Sequence, residues 1–433
     1  MQAFQIEGGV PLGGRIRVSG NKNEALPAIA CALLTDEPVV LENVPDILDV
    51  RVMLDIIREM GADVVYENEH RIRLHTSELK TTEVPAELAR RVRASILFAG
   101  PLLGRARRVD LPPPGGDVIG RRRLDTHFAG FEGLGARFEF GSKFRGRAKS
   151  LVGAELFLDE ASVTATENLL MAAVVAEGRT VIHNAACEPH VQGIARMLNS
   201  MGGKISGYGS NCITIDGVEK LSGTTFEIGP DYLEVGSMIG LAAITGGELW
   251  IEDVVPEHLR MVRMVFERLG VKTEFVGNDM YIAGRQNLKI RPDLSGHIPK
   301  VDDAPWPQFP TDLMSIAITV ATQSQGTVLF FEKMFEGRMF FVDSLIGMGA
   351  QIILCDPHRV VVVGPARLFG TRLESPDVRA GMAMLIAALV AEVASSSYWP
   401  AAHLSHESLL APPVTEPGPH ASQAPFPASA PQC

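Results

Sequence analysis

The sequence lacks the features of a secreted, zinc-binding or membrane-spanning protein. Its five cysteines are scattered and none lies in a CxxC pair, which argues against a disulfide framework and a zinc site and for a reducing compartment. The first ten residues contain no basic segment followed by an apolar run, so no signal peptide is expected. Residues 380–391, the longest apolar helix candidate, are too few to cross a bilayer. We therefore predict a cytoplasmic protein without a membrane partner.

Basic residues are missing from the end of the chain. No Lys or Arg follows Arg379, and eight of the residues 400–433 are proline. Such a Pro/Ala/Ser-rich segment buries too little apolar surface to fold. We therefore predict that residues 394–433 are disordered.

Charge is plentiful but unevenly distributed. The net charge is −11, yet residues 90–149 hold 14 Lys and Arg against five Asp and Glu, which leaves −20 for the rest of the chain. A basic region in an acidic protein predicts a small anionic ligand that is drawn to one cleft. A nucleic-acid surface is less favoured, because the basic residues lie beside glycine loops and not along one helix face. A solvated surface without a ligand is a further alternative.

One glycine-rich stretch, residues 114–127 (PGGDVIGRRRLDTH), combines a loop with acids and arginines. Glycines allow the backbone to approach a ligand closely, and arginines clamp phosphate or carboxylate with paired donors. Residues 111–127 are therefore interpreted as a lid that carries an acid/base group, Asp117, onto an anionic substrate. A solvated glycine turn before a charged helix start explains the same pattern, and from these residues alone both interpretations remain open.

A repeated unit predicts the architecture. An amphipathic helix ends in a Met-Gly or Leu-Gly step and is followed by a strand, a turn and another strand, with 74, 67, 68 and 79 residues between successive glycines. Glycine tolerates the left-handed conformation that ends many helices. The predicted terminating glycines are Gly61, Gly135, Gly202, Gly270 and Gly349.

Between these copies lies a second helix that is apolar on most faces and is therefore expected to be buried. Its six copies are predicted at residues 23–34, 93–103, 166–176, 235–245, 311–322 and 378–393. Six buried helices but five terminating glycines indicate that a sixth unit begins and is not finished. Units of about 70 residues are longer than most solenoid repeats, so we predict two globular domains of three units each.

A series of motifs, in order along residues 1–393, resembles those of the bacterial UDP-N-acetylglucosamine enolpyruvyl transferases. They are SGNKNEALP at 19–27, RASI at 93–96 with GPL at 100–102, the lid, EG at 177–178 with NAA at 184–186 and EP at 188–189, FPTD at 309–312, FEGR at 335–338 and DVRA at 377–380. The shikimate-pathway enolpyruvyl transferases are a poorer match, because they would show Gly-Ser-Lys-Ser at the first motif.

The resemblance implies an α/β fold, namely a two-domain inside-out α/β barrel built from six repeated βαβαββ-type units, of which the sixth is incomplete here. Residues 1–21 and 230–393 would form one domain and residues 22–229 the other, and the two would close on the substrates. The implied reaction transfers enolpyruvate from phosphoenolpyruvate to the 3-hydroxyl of UDP-N-acetylglucosamine and releases phosphate. It is the first committed step of peptidoglycan synthesis, and thereby serves cell wall biogenesis, cell shape and cell division. The implied protein is a cytoplasmic monomer with no metal, no cofactor and no nucleic-acid partner.

This reaction needs an acid/base group at C3 of phosphoenolpyruvate, a base at the sugar hydroxyl, and cations for phosphate and carboxylate. By motif, Asp117 is implied as the acid/base group and Asp312 as the base. The implied cations are Lys22, Arg122, Arg338 and Arg379. The positions implied to hold the nucleotide sugar are Lys22, Asn23, Arg93, Arg122, Arg123, Leu124, Asp125, Thr126, Glu160, Ala161, Ser162, Val163, Asp312 and Met334.

Purely structural roles stay open for several of these residues. Lys22 could be a surface residue at a helix start, and Asp312 could merely cap the next helix. Arg338 and Arg379 could form salt bridges between domains. His127 is expected to position a partner, or to be satisfied at a helix start, rather than to transfer protons.

Two departures from the family pattern bear on activity. Asp117 stands where most of the family carries cysteine, and a carboxyl can exchange protons there if desolvation or a nearby anion raises its pKa. A further strand–helix–strand and another active-site arginine are not found after Val393, as a shifted reading frame in GC-rich DNA would produce. The alternatives are therefore a paralogue that acts on another nucleotide, and a truncated homologue that binds UDP-sugar without turnover.

Overall fold

The computed structural model describes residues 4–116, 120 and 122–392. The predictions for Asp117 and for the disorder of residues 394–433 fall outside these residues. The chain up to Glu392 forms one compact unit. No helix in the described part combines the length and the apolar character needed to cross a membrane.

Helices and strands alternate throughout the described residues. Their α-helices are α1 (Lys22–Cys31), α2 (Leu48–Glu59), α3 (Ala86–Ala89), α4 (Ala99–Ala106), α5 (Asp125–Gly133), α6 (Val163–Ala173), α7 (Pro189–Ser200), α8 (Tyr232–Thr245), α9 (Arg260–Arg268), α10 (Met314–Gln323), α11 (Val342–Gly347) and α12 (Val378–Val390). Short 3-10 helices span Ala32–Leu34, Arg93–Phe98, Pro256–Leu259, Leu294–Gly296 and Thr311–Leu313.

The strands in the same part are β1 (Gly14–Arg17), β2 (Val39–Glu42), β3 (Asp63–Asn68), β4 (Arg71–His75), β5 (Arg108–Leu111), β6 (Arg137–Phe140), β7 (Phe144–Arg147), β8 (Glu155–Phe157), β9 (Arg179–His183), β10 (Lys204–Ser206), β11 (Cys212–Asp216), β12 (Thr224–Glu227), β13 (Leu249–Glu252), β14 (Glu274–Val276), β15 (Asp279–Ile282), β16 (Lys300–Asp302), β17 (Gly326–Phe331), β18 (Gln351–Asp356) and β19 (Arg359–Gly364). They form five sheets, with the orders β1-β13-β15-β14, β12-β2-β4-β3, β5-β7-β6, β10-β11-β9-β8 and β16-β17-β19-β18.

The repeated unit predicted from the sequence is present five times in these residues. In each copy a buried helix leads to a strand, an outer helix and an antiparallel pair of strands, as in α1, β2, α2, β3 and β4. Four of the five sheets gain a further strand that pairs in parallel with the first strand of the unit. Val39 and Leu41 on β2 are buried while Val40 and Glu42 are half-buried, so β2 turns one face toward the core.

The five terminating glycines have the predicted left-handed conformation. Their φ angles are 109° at Gly61, 94° at Gly135, 99° at Gly202, 94° at Gly270 and 104° at Gly349. Residues with a Cβ rarely adopt such angles. The glycine therefore turns the chain from each outer helix into the following strand, as predicted.

The buried helices lie at all six predicted places, although their ends differ from the prediction. α6 begins at Val163 and α8 at Tyr232, each three residues early, because Ser162 and Asp231 cap the helices by accepting backbone N–H bonds. The helices predicted at 93 and 311 start as 3-10 turns before they become α-helical.

Two clusters of buried hydrophobic residues fill the fold. One is drawn from residues 25–228 and the other from Val18 together with residues 232–391. The chain passes between them twice, side by side, since Asn21 N donates to Gly229 O at 2.7 Å and Asp231 N donates to Ser19 O at 2.9 Å. The domain boundaries at 21 and 230 remain a prediction.

The helix α12 is the least covered of the buried helices. It packs against α8 and α10, and five of its thirteen residues are buried. Val378 at its start is 63% exposed. No sheet follows α12 in the part of the chain that the structure describes.

Candidate active site

The carboxylate of Asp312 hydrogen bonds to two cations of the predicted site, Arg338 and Arg379. It lies in the 3-10 turn that leads into α10. Its Oδ1 accepts a hydrogen bond from Arg338 Nη2 at 2.7 Å, and its Oδ2 accepts one from Arg379 Nε at 3.1 Å. Neither the turn nor α10 has a side-chain cap. The interpretation of Asp312 as a helix cap is therefore wrong.

The charges around Asp312 oppose the effect of its burial. Desolvation raises the pKa of this carboxyl, but the charges of Arg379 and Arg338, and more weakly that of Lys22, leave the pKa below its usual value. The three cations come from different parts of the chain, since Lys22 opens α1 while Arg338 and Arg379 lie within residues 232–391, which supply the second hydrophobic cluster. Asp312 is therefore a carboxylate at neutral pH, in a field supplied by both halves of the fold.

A second acid, Asp377, holds the two arginines in place. Its Oδ1 lies 3.4 Å from Arg338 Nη1 and caps α12, by accepting from the amides of Arg379 at 2.8 Å and Ala380 at 3.1 Å. All of these partners lie within residues 230–392, so these contacts do not join the two predicted domains. The side chain of Arg338 is 5% exposed, and its Nε finds no partner among the described residues. An unpaired buried donor is costly, and an anion would satisfy it.

Glu332 ties the loop of Arg338 to the turn that carries Asp312. Its Oε1 accepts from the amides of Met334 at 3.0 Å and Phe335 at 3.1 Å, and its Oε2 accepts from Thr311 Oγ1 at 2.9 Å. Met334, a predicted sugar contact, is 37% exposed on this loop. The loop is thereby held at the edge of the Asp312 cluster.

Lys22 is ion-paired at the start of α1. Its Nζ lies 2.6 Å from Asp49 Oδ2, and its side chain is 33% exposed. Asn21 caps the helix by accepting from the amide of Asn23 at 2.8 Å, which fixes the direction in which α1 begins. Lys22 thus lies at a helix start, as the structural interpretation has it, but its charge also reaches Asp312.

A second basic cluster lies where the nucleotide sugar is predicted. Arg93 Nη2 donates to the carbonyl of Arg122 at 2.7 Å. Burial, and then the charge of Arg122, lower the pKa of Arg93 to about 10. Arg123 pairs through Nη2 with Asp159 at 2.9 Å and through Nε with Asp125 at 3.1 Å. Leu124, between them in sequence, is partly buried against the core.

Asp159 joins this cluster to the next predicted segment. It accepts from Thr126 Oγ1 at 2.7 Å and immediately precedes residues 160–163. Of these, Glu160 is exposed and the other three are half-buried, and Ser162 caps α6. The segments 122–126 and 159–163 are therefore adjacent, as a shared ligand site requires.

His127 is buried near the start of α5. It is 1% exposed, and its Nε2 lies 3.0 Å from Thr164 Oγ1. Burial, and then the charge of Arg93, lower its pKa to about 3. The imidazole therefore stays neutral near pH 7, and its Nδ1 has no hydrogen-bond partner among the described residues. Its role as a positioning residue stays a prediction.

The described part of the lid lies against the second basic cluster, at Arg93, and against the loop that carries Arg338. Gly116 has a φ of 100°, and a Cβ there would lie 2.8 Å from Arg93 Cβ. Gly120 has a φ of 128°, and a Cβ there would lie 3.2 Å from the backbone nitrogen of Glu336. The lid is thus next to Arg93 at Gly116 and next to the loop of Arg338 at Gly120. Asp117, between these glycines, lies outside the described residues.

Several acids that organise the site were missed in the sequence. Asp49, Asp159 and Asp377 each pair with a predicted cation. Asp49 and Asp159 lie in no motif, and Asp377 lies in the DVRA motif but no role is predicted for it. Asp377 could have been found, because an acid directly before the apolar run 378–390 is a pattern typical of an N-cap. The other two pair with residues far away along the chain.

The arrangement suits a substrate with several negative charges. Arg338, Arg379 and Lys22 lie around one carboxylate, and Arg93 and Arg122 form a separate basic cluster where the nucleotide sugar is predicted. Cations held by neighbouring acids are preorganised to bind phosphate and carboxylate groups. The carboxylate between them can accept a proton once the arginines turn to an anion.

Comparisons with known proteins show the family to which the chain belongs. The family described as EPSP synthase (3-phosphoshikimate 1-carboxyvinyltransferase) matches residues 6–396. The UDP-N-acetylglucosamine 1-carboxyvinyltransferase of Borrelia garinii subsp. bavariensis is 58% identical over 393 residues, which are 90% of this chain and 92% of that protein. The protein of the same name from Bradyrhizobium diazoefficiens is 54% identical over 393 residues, or 91% of each chain.

Solved structures share the fold at lower identity. The enolpyruvyl transferase NikO from Streptomyces tendae superposes with a TM-score of 0.77 at 21% identity, over 90% of this chain and 91% of the other. An EPSP synthase from Acinetobacter baumannii gives 0.68 at 18% identity, over 89% and 91%. The two-domain α/β fold implied by the sequence is thus confirmed. The chain belongs to the EPSP synthase family and is an enolpyruvyl (carboxyvinyl) transferase.

Proposed function

We propose that this enzyme transfers enolpyruvate from phosphoenolpyruvate to the 3-hydroxyl of UDP-N-acetylglucosamine and releases phosphate. The observation that carries the proposal is the Asp312 carboxylate shared by Arg338 and Arg379, in the field of Lys22. The name of the relatives at 54% and 58% identity indicates the same substrates. The reaction would be the first committed step of peptidoglycan synthesis, carried out in the cytoplasm by a monomer, and would serve cell shape and division.

The cations account for the acidic substrate. Phosphoenolpyruvate carries a phosphate and a carboxylate, and each can be clamped by paired donors of an arginine. Arg338 has an unpaired Nε, and Arg379 uses Nε for Asp312, so both have donors to offer. With Lys22 and Arg122 they would balance the charge that develops on the departing phosphate.

Asp312 would act as the base at the sugar hydroxyl. While both arginines pair with it, its pKa is low and it is a weak base. When the phosphate and carboxylate of phosphoenolpyruvate take over the arginine donors, the carboxylate loses its partners and its pKa rises. Binding of the second substrate would in this way prepare Asp312 to take the hydroxyl proton as oxygen attacks C2.

Asp117 would supply the proton to C3 in the addition step and remove one from C3 as phosphate leaves. The proposal rests on its place in the sequence, between Gly116 and Gly120, which lie against Arg93 and Glu336. The tetrahedral ketal formed by addition would be enclosed between the two hydrophobic clusters. We assign the domains to residues 1–21 with 230–393, and to residues 22–229, which close on each other with the lid.

The nucleotide sugar would lie along the second basic cluster. Arg93 donates to the carbonyl of Arg122, and Arg123 pairs with Asp159 at the start of the segment 159–163. The arginines would offer donors for the diphosphate, and the segment would contact the sugar. Asn23, Thr126 and Met334 would complete the contacts.

Phosphate release and calorimetry together test the proposal. With both substrates present, we expect steady release of phosphate that depends on UDP-N-acetylglucosamine, and calorimetric binding of that nucleotide. Binding without release would support a truncated homologue that does not turn over. Absence of binding would contradict the proposed substrate and favour a paralogue for another nucleotide.

A further inference from the structure

Three titratable side chains far from the Asp312 cluster in sequence line up across one sheet. The strands β11, β9 and β8 are consecutive neighbours, and Cys212 on β11 lies directly opposite His183 on β9. Cys212 Sγ lies 3.7 Å from His183 Nδ1, and His183 Nε2 lies 2.9 Å from Glu155 Oε1 on β8. A carboxylate, an imidazole and a thiol in this order form the arrangement that activates cysteine nucleophiles.

The carboxylate decides which nitrogen faces the thiol. An ionised carboxylate only accepts hydrogen bonds, so a neutral His183 beside Glu155 carries its proton on Nε2. Its Nδ1 then presents a lone pair to Cys212, and the thiol can donate to it. His183 is therefore placed to take the thiol proton and produce the thiolate, which is the reactive form of cysteine.

The sulfur is open to reagents and is held in place by the backbone. Cys212 is exposed, and the side chains of His183 and Glu155 are 37% and 79% exposed. Cys212 begins β11 directly after a turn, and its amide donates to Ser210 Oγ at 3.2 Å. A small molecule can reach the thiol without any rearrangement of the fold.

We propose that Cys212 is a modification site that exchanges with low-molecular-weight disulfides. The S–H bond breaks, the proton passes to His183 Nδ1, and the thiolate attacks one sulfur of the disulfide. The S–S bond breaks, and the departing thiolate takes the proton back from His183. The products are a mixed disulfide on Cys212 and one free thiol, so the Cys212 sulfur is oxidised and the departing sulfur is reduced. The proposal does not depend on the proposed function.

The chain contains a second exposed thiol, Cys355, which serves as a control although the charge of Arg359 acts on it. This thiol is also exposed on a strand, but it donates to the carbonyl of Ile353 at 3.8 Å. Within the described residues no imidazole hydrogen bonds to it. Cys31 is fully buried and reports unfolding, since it reacts only when the core opens.

The experiment incubates the whole chain with glutathione disulfide at pH 7 and measures the rate of mixed-disulfide formation at each cysteine by peptide mass mapping. Mapping also separates Cys212 from Cys433. We expect Cys212 to react about tenfold faster than Cys355. His183→Ala should lower the Cys212 rate to that of Cys355 without changing the Cys355 rate, and Glu155→Gln should lower it by a smaller factor.

Two results would overturn the proposal. One is an equal rate at Cys212 and Cys355 in the parent chain, and the other is an unchanged Cys212 rate in His183→Ala. Both results count only if Cys31 stays unmodified, because its reaction would show that the chain has unfolded. If Cys31 reacts in His183→Ala, the more conservative His183→Gln takes its place, with the same expected and contradicting outcomes.

Discussion

Asp312 is the residue at which catalysis and structure can be separated. Asp312→Asn keeps an oxygen for the arginines but removes the charge that takes a proton, so turnover should fall about 10²–10⁴-fold while the chain still folds. The control is Asp356→Asn, which weakens a more exposed pair with Arg359 (2.7 Å) outside the site and should leave turnover unchanged. Phosphate release and thermal unfolding measure both effects. Full activity in Asp312→Asn would remove this residue from the mechanism.

Glu24 should make stability depend on pH. It is 3% exposed, and burial raises its pKa from 4.5 to about 7, an increase that Gly229 N–H and the Arg196 charge only partly offset. The folded chain therefore keeps a proton that the unfolded chain releases, and stability falls as pH rises through the window between the two pKa values.

Glu24→Gln removes this proton uptake. The difference in free energy of unfolding between this variant and the parent should therefore shift in favour of the variant from pH 5 to pH 8, by at most about 3 kcal/mol. Urea unfolding at both pH values measures the difference. The control is Glu87→Gln at an exposed position, which should change the free energy of unfolding at neither pH. An equal effect of Glu24→Gln at the two pH values would contradict the pKa argument.

Asp117 should make the enzyme resistant to fosfomycin. In the family this epoxide alkylates the lid cysteine, and a carboxylate is a far weaker nucleophile than a thiolate. Incubation with the drug and UDP-N-acetylglucosamine, followed by intact-mass measurement and peptide mapping, should show no adduct on the lid. A stoichiometric adduct on Asp117 would refute this expectation.

Residue identities in the site could be predicted only where a motif carries them. Asp312, Arg338 and Arg379 were found in this way, and the structure brings them into one cluster. Asp159 could not be found, because its partner Arg123 lies 36 residues away and only the fold makes them neighbours. A lone aspartate in a loop looks the same in sequence whether it holds an arginine or faces water.

At the scale of elements, the lid depends on a glycine at position 120. Its φ of 128° and the 3.2 Å approach of a Cβ to Glu336 N mean that Gly120→Ala strains the loop and pushes it from its neighbour. A strain of this kind costs about 1–3 kcal/mol, so turnover should fall about tenfold or more.

Gly178→Ala is the control for Gly120→Ala. Gly178 also has a positive φ, of 85°, but a Cβ there meets nothing within 4 Å. It should lower the melting temperature without lowering turnover. Equal turnover in both variants would show that the approach of Gly120 to Glu336 has no part in catalysis.

The existence of helices was easier to predict than their first turns. The apolar periodicity places all six buried helices, but Ser162 and Asp231 start α6 and α8 earlier through side-chain caps. Ser and Asp side chains form local hydrogen bonds to the backbone in helix caps and in turns alike, so the residue type alone does not show which of the two forms. Periodicity therefore finds the body of a helix, and the cap decides its beginning.

At the scale of the whole molecule, Trp306 should report closure. Its amide donates to Glu188 Oε1 at 3.4 Å and its carbonyl accepts from Cys187 Sγ at 3.7 Å, so it spans the two hydrophobic clusters. UDP-N-acetylglucosamine should change the tryptophan fluorescence, and Trp306→Phe should abolish the change. Trp250→Phe, on β13 away from this junction, should keep it. A response that survives in Trp306→Phe would place the movement elsewhere.

The chain passes twice between the two hydrophobic clusters, and the two passages lie side by side. Residues 22–229 leave and rejoin the rest of the molecule where Asn21 N and Gly229 O are 2.7 Å apart, so this segment is an insert whose two ends meet. Segments with adjoining ends can be excised, transplanted or circularly permuted with little penalty.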